Sequence, residues 1–511
     1  MTDELRPELQ ALQQRLQRTL DEGRDAARVR RHQAGYRSAR ENLADLVDTG
    51  TFQEYGQLAV AAQRNRRDYQ ELQTSTAADG IITGTATINA GSVGVGAARV
   101  AVIINDYAVL AGTQGFFHHR KLDRLCALAE SSQLPIIMYT EGGGGRPGDT
   151  DVLTHIAGLH VESFSRWAAL SGKVPRIAVN NGYCFAGNAA LFGCADITIA
   201  TRTSWIGMAG PAMIEGGGLG KVDAREIGPI DVQLKNGVVD IVAEDEAHAT
   251  ALAKQALSYF QGPVQDWACT DQAPLRDLVP LDRRWAYPVR KVIETIADTG
   301  SFLELRRVYG RSIITGFIRL EGQPVALIAN DCQQLGGAVD AESSEKAARF
   351  LQLVNAFGLP VLSLTDTPGF MVGPASERDA AVRRMSSLFI TGAAMRVPMV
   401  AIFLRKGYGL GAMAMTGGSF AAPVYAAAWP TGEFGAMGLE GAVRLGYRKE
   451  LEAVADPGER EALFERLVAD LYEAGKATEA ASYLEIDAVI DPIDTRLEIV
   501  RALRAAAVGG K

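Results

Sequence analysis

The sequence predicts an α/β protein that consists of two tandem copies of one domain. Short apolar runs that end in glycine-rich turns alternate with segments of helical periodicity, which is typical of buried strands joined by crossover helices. The 511 residues exceed what one hydrophobic core usually organises. Several blocks of the first half recur in the same order in the second half, which indicates an internal duplication.

Composition and charge narrow the class of protein. The chain is 47% hydrophobic and 22% charged, as in ordinary globular proteins, and its net charge of −8 argues against a nucleic-acid-binding surface. No apolar run reaches the roughly 18 residues of a membrane span, and the charged N-terminus lacks the core of a signal peptide. The five cysteines are scattered without a Cys-x-x-Cys pair, which predicts reduced thiols, no metal site and a cytoplasmic protein.

The first 75 residues are polar and predict a helical arm, placed at residues 1–40. Apolar positions with helical spacing are Leu9, Leu12, Leu16 and Leu20. We expect the arm to cover its own domain or a neighbouring subunit. The basic residues Arg28, Arg30 and Arg31 are expected to be solvated, with a phosphate contact as the alternative.

Strands and helices then alternate through the first half. Strand-like runs lie at 81–84, 100–104, 135–139 and 177–179. Helices are expected from the turn at Gly115 to about Glu130 and over about 151–170. Residues 262–288 are rich in Pro, Asp and Trp and predict a linker between the domains.

Five pairs of matching blocks support the duplication. They are 48–52 with 298–302, 81–84 with 313–316, 105–106 with 330–331, 134–135 with 359–360, and 182–183 with 407–408. The last three pairs share one shift (330 − 105 = 225), which is hard to obtain by chance. The sequence therefore predicts an N-terminal domain over 1–270 and a C-terminal domain over 271–511.

The glycine-rich turns indicate the chemistry. In the second half, the apolar runs 359–365 and 397–404 each end in such a turn, and the first half carries a weaker copy. Glycine lets backbone N–H groups approach a ligand closely, and such donors suit the stabilisation of negative charge that develops on an oxygen. Two copies of the arrangement predict two anion-stabilising loops.

Motifs in both halves match one family. In the second half they are Ser344-Glu-Lys-Ala-Ala-Arg-Phe350, Asp366-Thr-Pro-Gly-Phe370, Arg405-Lys-Gly-Tyr-Gly409, Trp429-Pro-Thr431 and Met437-Gly-Leu-Glu-Gly-Ala-Val443. In the first half they are His118-His-Arg-Lys121, Gly143-Gly-Gly-Arg146, Gly210-Pro211 and Val242-Ala-Glu-Asp-Glu246. Over about residues 35–505 the chain resembles the carboxyltransferase (β) subunits of biotin-dependent acyl-CoA carboxylases.

This resemblance implies two crotonase/ClpP-like (ββα superhelix) domains, in a protein that assembles as a homohexamer. It implies transfer of a carboxyl group from carboxybiotin to the α-carbon of an acyl-CoA. The N-terminal domain would bind acyl-CoA and the C-terminal domain biotin, which is carried on a partner because the chain lacks an Ala-Met-Lys-Met biotinylation motif. The expected partners are a biotin carboxylase and a biotin carboxyl carrier subunit, with no nucleic acid and no membrane.

The family motifs assign roles by position. Ala186 and Gly187 would donate N–H groups to the thioester oxygen, and Leu410 and Gly411 to the biotin oxygen. The substrate-binding positions would be Gly143, Gly144, Gly145, Arg146, Lys121, Tyr183 and Met413. The biotin-binding positions would be Gly369, Phe370, Gly407, Tyr408 and Gly409.

Structural alternatives stand beside these assignments. The glycine turns could be tight turns only, and Lys121 could be a solvated helix residue. Gly143-x-Gly-x-x-Gly148 also matches a dinucleotide-binding pattern, although Pro147 lies inside it. His118 is expected to cap or pack, and Asp366 to fix its loop.

The chain departs from the family pattern at three positions. Gly142 stands where the family usually has Ser, and Asn188 ends a loop where many members have Ala. Met413 replaces an Asp that shapes the acyl pocket of relatives, which points to a larger or more apolar acyl group. Two alternatives stay open: the same fold could act in the reverse direction in a biotin-dependent decarboxylase, and the altered loops could belong to a non-catalytic assembly paralogue.

Overall fold

The computed structural model describes residues 6–152 and 159–507, and the chain divides into two compact units, Met1–Gly262 and Pro263–Lys511. The boundary lies before the predicted one (270 − 262 = 8 residues). The predicted linker over 262–288 is wrong, because Leu275, Val279 and Tyr287 are buried in the hydrophobic core of unit 2. Burial of these side chains makes the segment part of that unit.

Unit 1 is a sheet with helices packed on it. Its strands β1–β9 are Gln53–Tyr55, Ile81–Thr87, Arg99–Asn105, Ile136–Tyr139, Arg176–Asn180, Tyr183–Phe185, Ile197–Thr201, Trp205–Gly207 and Ile241–Ala243. Its helices α1–α11 are Pro7–Gln17, Asp25–Gln33, Ala39–Leu46, Tyr69–Ser75, Ala90–Val93, Phe116–Ser132, Ser163–Ala169, Gly187–Gly193, Pro211–Gly216, Ile230–Lys235 and Glu246–Ser258.

The unit 1 sheet has the order β1-β2-β3-β4-β5-β7-β9. Strands β1, β2 and β3 pair antiparallel, and from β3 onward neighbours are parallel. Parallel neighbours need crossover segments, and α6 provides the one between β3 and β4. The carboxyl ends of the parallel strands therefore lie at one edge, where the loops after β4 and β5 carry the glycine motifs.

Unit 2 repeats this pattern. Its strands β10–β17 are Leu303–Leu305, Ile313–Leu320, Gln323–Asn330, Val361–Thr367, Met399–Tyr408, Tyr425–Ala428, Glu433–Gly435 and Ala488–Val489. Its helices α12–α22 are Leu275–Leu278, Val289–Ile296, Ala341–Ala356, Pro374–Arg378, Ala381–Ala393, Gly409–Met415, Leu439–Gly446, Arg448–Ala453, Pro457–Ala474, Ala477–Ser482 and Thr495–Ala507. No helix in the described parts of the chain is long and apolar enough to cross a membrane.

The unit 2 sheet runs β10-β11-β12-β13-β14-β15-β17, and β16 also pairs with β14. Its first three strands are antiparallel and the following neighbours parallel, as in unit 1. Helix α14 makes the crossover that α6 makes in unit 1. The α/β class and the repeated strand pattern agree with the sequence prediction.

Two predicted segments differ from the structure. The predicted helix over about 151–170 is shorter, because α7 begins at Ser163 and residues 159–162 are not helical; residues 153–158 lie outside the described part. The arm is helical as predicted, but Leu9 and Leu12 remain 42% and 43% exposed. Further along, residues 21–42 contact unit 1 through buried or half-buried polar groups, among them Arg24, Arg31 and Asn42.

Each unit contains a buried lysine at the equivalent position of its crossover helix. Lys121 Nζ donates to the carbonyl oxygens of Ala78 (2.9 Å) and Ile81. Lys346 Nζ donates to the carbonyl oxygens of Arg306 (2.9 Å) and Ile313 (2.7 Å). The solvated alternative for Lys121 is wrong, and we no longer assign this ammonium to CoA because it binds the chain's own carbonyls.

We expect Lys346→Met to lower the free energy of unfolding by about 3 kcal/mol, because buried carbonyl oxygens lose their donor. The apparent melting temperature should fall by several degrees, as measured by differential scanning fluorimetry. Lys291→Met, at an exposed position of α13, is the control and should change it little. Equal melting temperatures for the two variants would contradict a structural role for Lys346.

Candidate active site

The glycine loop after β4 is held by its own backbone amides. The N–H groups of Gly142 and Gly143 donate to the carbonyl oxygens of Tyr183 (2.8 Å) and Ala111 (3.0 Å). Gly144 has φ +89°, in the left-handed region that favours glycine. The backbone of Gly145 is exposed, and its N–H has no acceptor within the described residues. The loop is thus a rigid turn with one free donor.

Ala186 does not have the role that the sequence assigned to it. Its N–H donates to the carbonyl oxygen of Gly207 at 3.0 Å, so this donor is occupied. Ala186 also has φ +52°, a costly conformation for a residue with a Cβ, directly before α8. Gly187, the first residue of that helix, has an N–H with no intrahelical acceptor and none elsewhere in the described residues. Of the predicted pair, only Gly187 keeps a free donor.

Asn188 connects the two glycine loops of unit 1. Its Oδ1 accepts a hydrogen bond from Gly144 N–H at 3.0 Å, and its Nδ2 donates to the carbonyl oxygen of Thr140 at 3.1 Å. The side chain is fully buried. A Cβ at position 142 would lie 2.2 Å from Asn188 Nδ2, so Gly142 and Asn188, two of the departures from the family pattern, contact each other.

Arg146 and His118 are both structural. Arg146 Nη1 contacts Asp79 Oδ1 at 2.5 Å and Nη2 donates to the carbonyl oxygen of Thr113 at 2.8 Å, so this buried guanidinium fixes the loop from inside the protein. The sequence assigned Arg146 to substrate binding, but its guanidinium is occupied by Asp79 and Thr113 and instead supports the loop. His118 is buried with its Nε2 3.0 Å from Asn105 Oδ1, and burial lowers the pKa of His118 well below its usual range.

Tyr183 lies at the edge of the unit 1 site. Its ring stacks on Trp205 with the centroids 4.9 Å apart, and the side chain is half-buried. Its carbonyl oxygen is the acceptor that holds Gly142. Tyr183 therefore supports the loop through its backbone, while its side chain stays partly exposed.

The two glycine loops of unit 2 are in direct backbone contact. A Cβ at position 411 would lie 2.6 Å from the carbonyl carbon of Gly369 and 2.9 Å from the nitrogen of Phe370. Gly369 has φ +118° and Gly409 has φ +57°, so both need the freedom of glycine. The N–H groups of Leu410 and Gly411 lie in the first turn of α17 and lack acceptors in the part of the chain that the structure describes.

Asp366 anchors these loops, as predicted. The carboxylate is fully buried and accepts hydrogen bonds from Arg405 Nη2 at 3.0 Å and from the backbone N–H of Lys406 at 3.1 Å. Arg405 also donates to the carbonyl oxygen of Trp285 at 2.8 Å. The end of β13 is thereby tied to the end of β14, which fixes the spacing of the two loops.

The side chain of Tyr408 is not available to biotin. Tyr408 is 2% exposed, and its ring packs with Leu439, Val443 and Val468 of helices α18 and α20. Its hydroxyl faces Glu433, and burial raises the pKa of both groups. Only the backbone of Tyr408 can therefore take part in the predicted biotin binding. The neighbouring Gly407 has a packing reason to be glycine, because a Cβ there would lie 2.8 Å from the Phe434 ring.

A cleft of about 630 Å³ opens beside the loop of Gly407 and Gly409. Its apolar walls include Met413, Phe420, Phe434, Tyr483 and Leu484. Leu410 is 60% exposed and Phe370 half-buried, so side chains near the loop remain accessible. Three of the predicted residues, Gly407, Gly409 and Met413, thus line a cavity of ligand size, and Met413 is the one that contributes an apolar side chain.

The sequence matches the family described as "Carboxyl transferase domain" over residues 30–509. The chain belongs to the carboxyl transferase family. This match confirms the family predicted from the sequence. It also confirms that the chain is a biotin-dependent carboxyltransferase that uses a CoA thioester.

Individual relatives support this membership. The propionyl-CoA carboxylase beta chain of Saccharopolyspora erythraea is 31% identical over 507 residues, which cover 95% of this chain and 90% of the relative. A structure of a single-chain, multi-domain long-chain acyl-CoA carboxylase is 55% identical, with a TM-score of 0.93 over 98% of this chain; the carboxyltransferase chain spans 49% of that protein. The transcarboxylase 12S structure, described as a hexamer, is 29% identical, with a TM-score of 0.85 over 99% of this chain and 96% of that one.

Three residues of the site were not identified from the sequence. Asp79 and Asn188 become important only because distant loops meet them. Glu141 could have been identified from the sequence, because this residue directly precedes the glycine loop at the end of a buried strand. Its partner, Arg31, belongs to a basic run that was expected to be solvated, yet it is mostly buried.

Proposed function

We propose that this carboxyltransferase carboxylates the α-carbon of an acyl-CoA whose acyl chain is longer and more apolar than acetyl or propionyl. The observation that carries the proposal is that each unit has two glycine loops at the carboxyl ends of its strands, and that these loops carry free N–H donors. The apolar cleft beside Met413 supports the choice of acyl group.

In unit 1, Gly187 N–H would stabilise the oxygen of the thioester as its enolate forms. Gly145 N–H is the candidate for the second donor, because Ala186 N–H is occupied. The exposed backbones of Gly143 and Gly145 would line the acyl-CoA channel. A donor that is already fixed in place costs no reorganisation when charge develops, which is what a rigid loop supplies.

In unit 2, the N–H groups of Leu410 and Gly411 would hold the ureido oxygen of biotin. Gly369, Phe370 and Gly409 would shape the entrance to this half-site. Carboxybiotin, bound as the second substrate, would release its carboxyl group as CO2; the biotin nitrogen left behind would accept the α-proton, and the enolate carbon would bond to the CO2. Within the described residues the site thus needs backbone donors and no side-chain base, which agrees with the buried state of His118.

The finer architecture is part of the proposal. We propose that each unit has the crotonase/ClpP-like fold, that unit 1 binds the CoA thioester, and that unit 2 binds biotin and contributes Met413 to the acyl pocket. A homohexamer is supported by the transcarboxylase 12S structure, which is described as a hexamer. Affinity capture from the native host should recover a biotinylated carrier.

The test uses the purified protein, free biotin and a series of α-carboxylated acyl-CoAs. Chromatography measures the decarboxylated acyl-CoA that forms when biotin accepts the carboxyl group. We expect turnover that increases with acyl chain length. No turnover across acetyl to long-chain substrates, together with no CoA-ester binding by calorimetry, would favour the non-catalytic alternative; capture of a membrane subunit would favour the decarboxylase.

Met413→Asp should change the substrate preference. A carboxylate placed against an apolar tail should lower kcat/KM for long-chain substrates about 10- to 50-fold, with a much smaller effect on propionyl substrates. Leu497→Asp, at an exposed position of α22, is the control. An unchanged ratio of long-chain to short-chain kcat/KM would contradict the assignment of Met413 to the acyl pocket.

A further inference from the structure

The segment 21–42 of the N-terminal arm is bound along the carboxyl edge of the unit 1 sheet. Three carboxylates lie after strands at this edge: Asp106 after β3, Glu141 after β4 and Glu246 after β9. The arm contacts all three of them. The loops that carry the glycine motifs lie at the same edge, so the arm and the candidate site share their support.

The two outer contacts fix the ends of this segment. Arg24 Nη1 contacts Asp106 Oδ2 at 2.5 Å. Glu246 Oε1 accepts a hydrogen bond from the backbone N–H of Arg37 at 2.8 Å, and its Oε2 accepts one from Asn42 Nδ2 at 2.6 Å. Glu246 is 7% exposed, so these bonds are shielded from water.

The central contact joins Arg31 and Glu141, whose side chains are both mostly buried. Nη1 and Nη2 of Arg31 donate to Oε1 and Oε2 of Glu141 at 3.0 and 2.7 Å. The guanidinium lies 4.6 Å from the ring centroid of Tyr36 and 5.4 Å from that of Tyr107. A bidentate pair that is also packed against two rings has one geometry, which makes it a good positioning device.

Glu141 contacts both glycine loops of unit 1. It directly precedes Gly142 in the chain. A Cβ at position 182 would lie 2.4 Å from Glu141 Oε1, so the carboxylate packs against the backbone of Gly182. Gly182 begins the turn that leads through β6 to Gly187. The orientation of one side chain is therefore coupled to the positions of both loops.

We propose that Arg31 is a positioning residue for the carboxyl-transfer reaction, and that the N-terminal arm is a working part of the acyl-CoA half-site. Arg31 holds Glu141, which holds the turns that present Gly187 N–H. The inference rests on the proposed function of this half-site. It assigns a role to a segment whose sequence predicted only a covering arm.

Arg31→Met should lower kcat about 10- to 100-fold, because a displacement of the donors by a fraction of an ångström to one ångström costs this much. KM for the acyl-CoA should change less, since the Arg31 guanidinium is already bonded to Glu141 and is not free to bind CoA. The double variant Arg31→Met/Glu141→Gln should recover to within about fivefold of wild type, because the amide leaves no unpaired buried charge. Arg30→Met, at the exposed neighbouring position, is the control.

The pH profile tests whether the defect of Arg31→Met arises from the unpaired charge of Glu141. The charged groups around Glu141 are Arg31, Glu246 and Asp106, and the tyrosines that face this region are Tyr36, Tyr107 and Tyr183. Burial raises the pKa of Glu141, and the Arg31 guanidinium opposes this rise. Without Arg31 the pKa of Glu141 rises further. At a pH above the ordinary pKa of a glutamate, Glu141 would then hold its proton in the folded protein but lose it in the unfolded chain. The defect of Arg31→Met should therefore be smallest at low pH and grow as pH rises, and Glu141→Gln should remove this dependence.

A second readout does not need activity. In Arg31→Met, hydrogen–deuterium exchange should accelerate at the amides of Gly142, Gly143 and Gly144, which are hydrogen-bonded in the wild type. If exchange at these amides matches that of Arg30→Met, the inference is wrong. If exchange accelerates while the wild type transfers no carboxyl group, the proposed function fails and the structural coupling stands.

Discussion

Gly411→Ala should lower the rate of carboxyl transfer about 100- to 1,000-fold, the loss expected when one oxyanion donor is displaced. The added Cβ would lie 2.6 Å from the carbonyl carbon of Gly369 and 2.8 Å from its Cα. These are backbone atoms, which cannot move aside as a flexible side chain can. The Gly369–Phe370 loop must therefore shift, and the N–H groups of Leu410 and Gly411 must shift with it. Steady-state turnover with free biotin and an α-carboxylated acyl-CoA measures the loss.

Gly446→Ala is the matched control for this variant. Gly446 is the last residue of α18, and a Cβ there would meet no atom within 4 Å. It should keep the wild-type rate, because alanine is at least as favourable as glycine in a helix. The melting temperatures of the two variants should lie within a few degrees of wild type. A Gly411→Ala enzyme with more than a third of the wild-type rate would remove this loop from the proposed mechanism.

Asn188→Ala should lower both stability and activity. The variant leaves Gly144 N–H and the carbonyl oxygen of Thr140 without their buried partner, at a cost of about 2–4 kcal/mol in the free energy of unfolding. Because Asn188 connects the loop of Gly144 with α8, the Gly187 donor should lose its fixed position. We expect kcat to fall about 10- to 100-fold when it is measured well below the melting temperature.

Asn188→Asp distinguishes the two hydrogen bonds. It keeps an acceptor for Gly144 N–H but places the second carboxylate oxygen against the carbonyl oxygen of Thr140, where this buried, charged oxygen has no donor. It should be less stable than Asn188→Ala. Asn65→Ala, at an exposed position of unit 1, should behave as wild type. If all three variants had equal melting temperatures and rates, the loops would not depend on Asn188.

Prediction from the sequence succeeded where local pattern decides the outcome. The strands β2, β3, β4 and β5 were found because continuous apolar runs bounded by turns have few other stable solutions. The family was found because the motifs around Asp366, Gly407 and Trp429 are specific. The predicted anchoring role of Asp366 agrees with its contacts to Arg405 and Lys406.

Prediction failed where a side chain's partner comes from a distant part of the chain. Lys121, Arg146 and Arg31 all belong to polar stretches, and sequence gives no sign that their charges are directed inward. Their partners are the carbonyl of Ala78, the carboxylate of Asp79 and Glu141, the last 110 positions from Arg31. The assignment of Ala186 as an oxyanion donor was wrong for the same reason. Its N–H donates to the carbonyl oxygen of Gly207, and only the pairing of β6 with β8 brings these two residues together.

The sequence by itself determined the class of fold, its duplication and the family, because these follow from periodicity, repeats and motif order. The tertiary structure alone decided which glycine amides are free, which buried charges pair, and that Arg31 of the arm reaches Glu141 beside the glycine loop of unit 1. The physical reason is that a hydrogen-bond donor is available only if nothing else in the folded chain satisfies it, and that condition depends on contacts between residues far apart in the sequence.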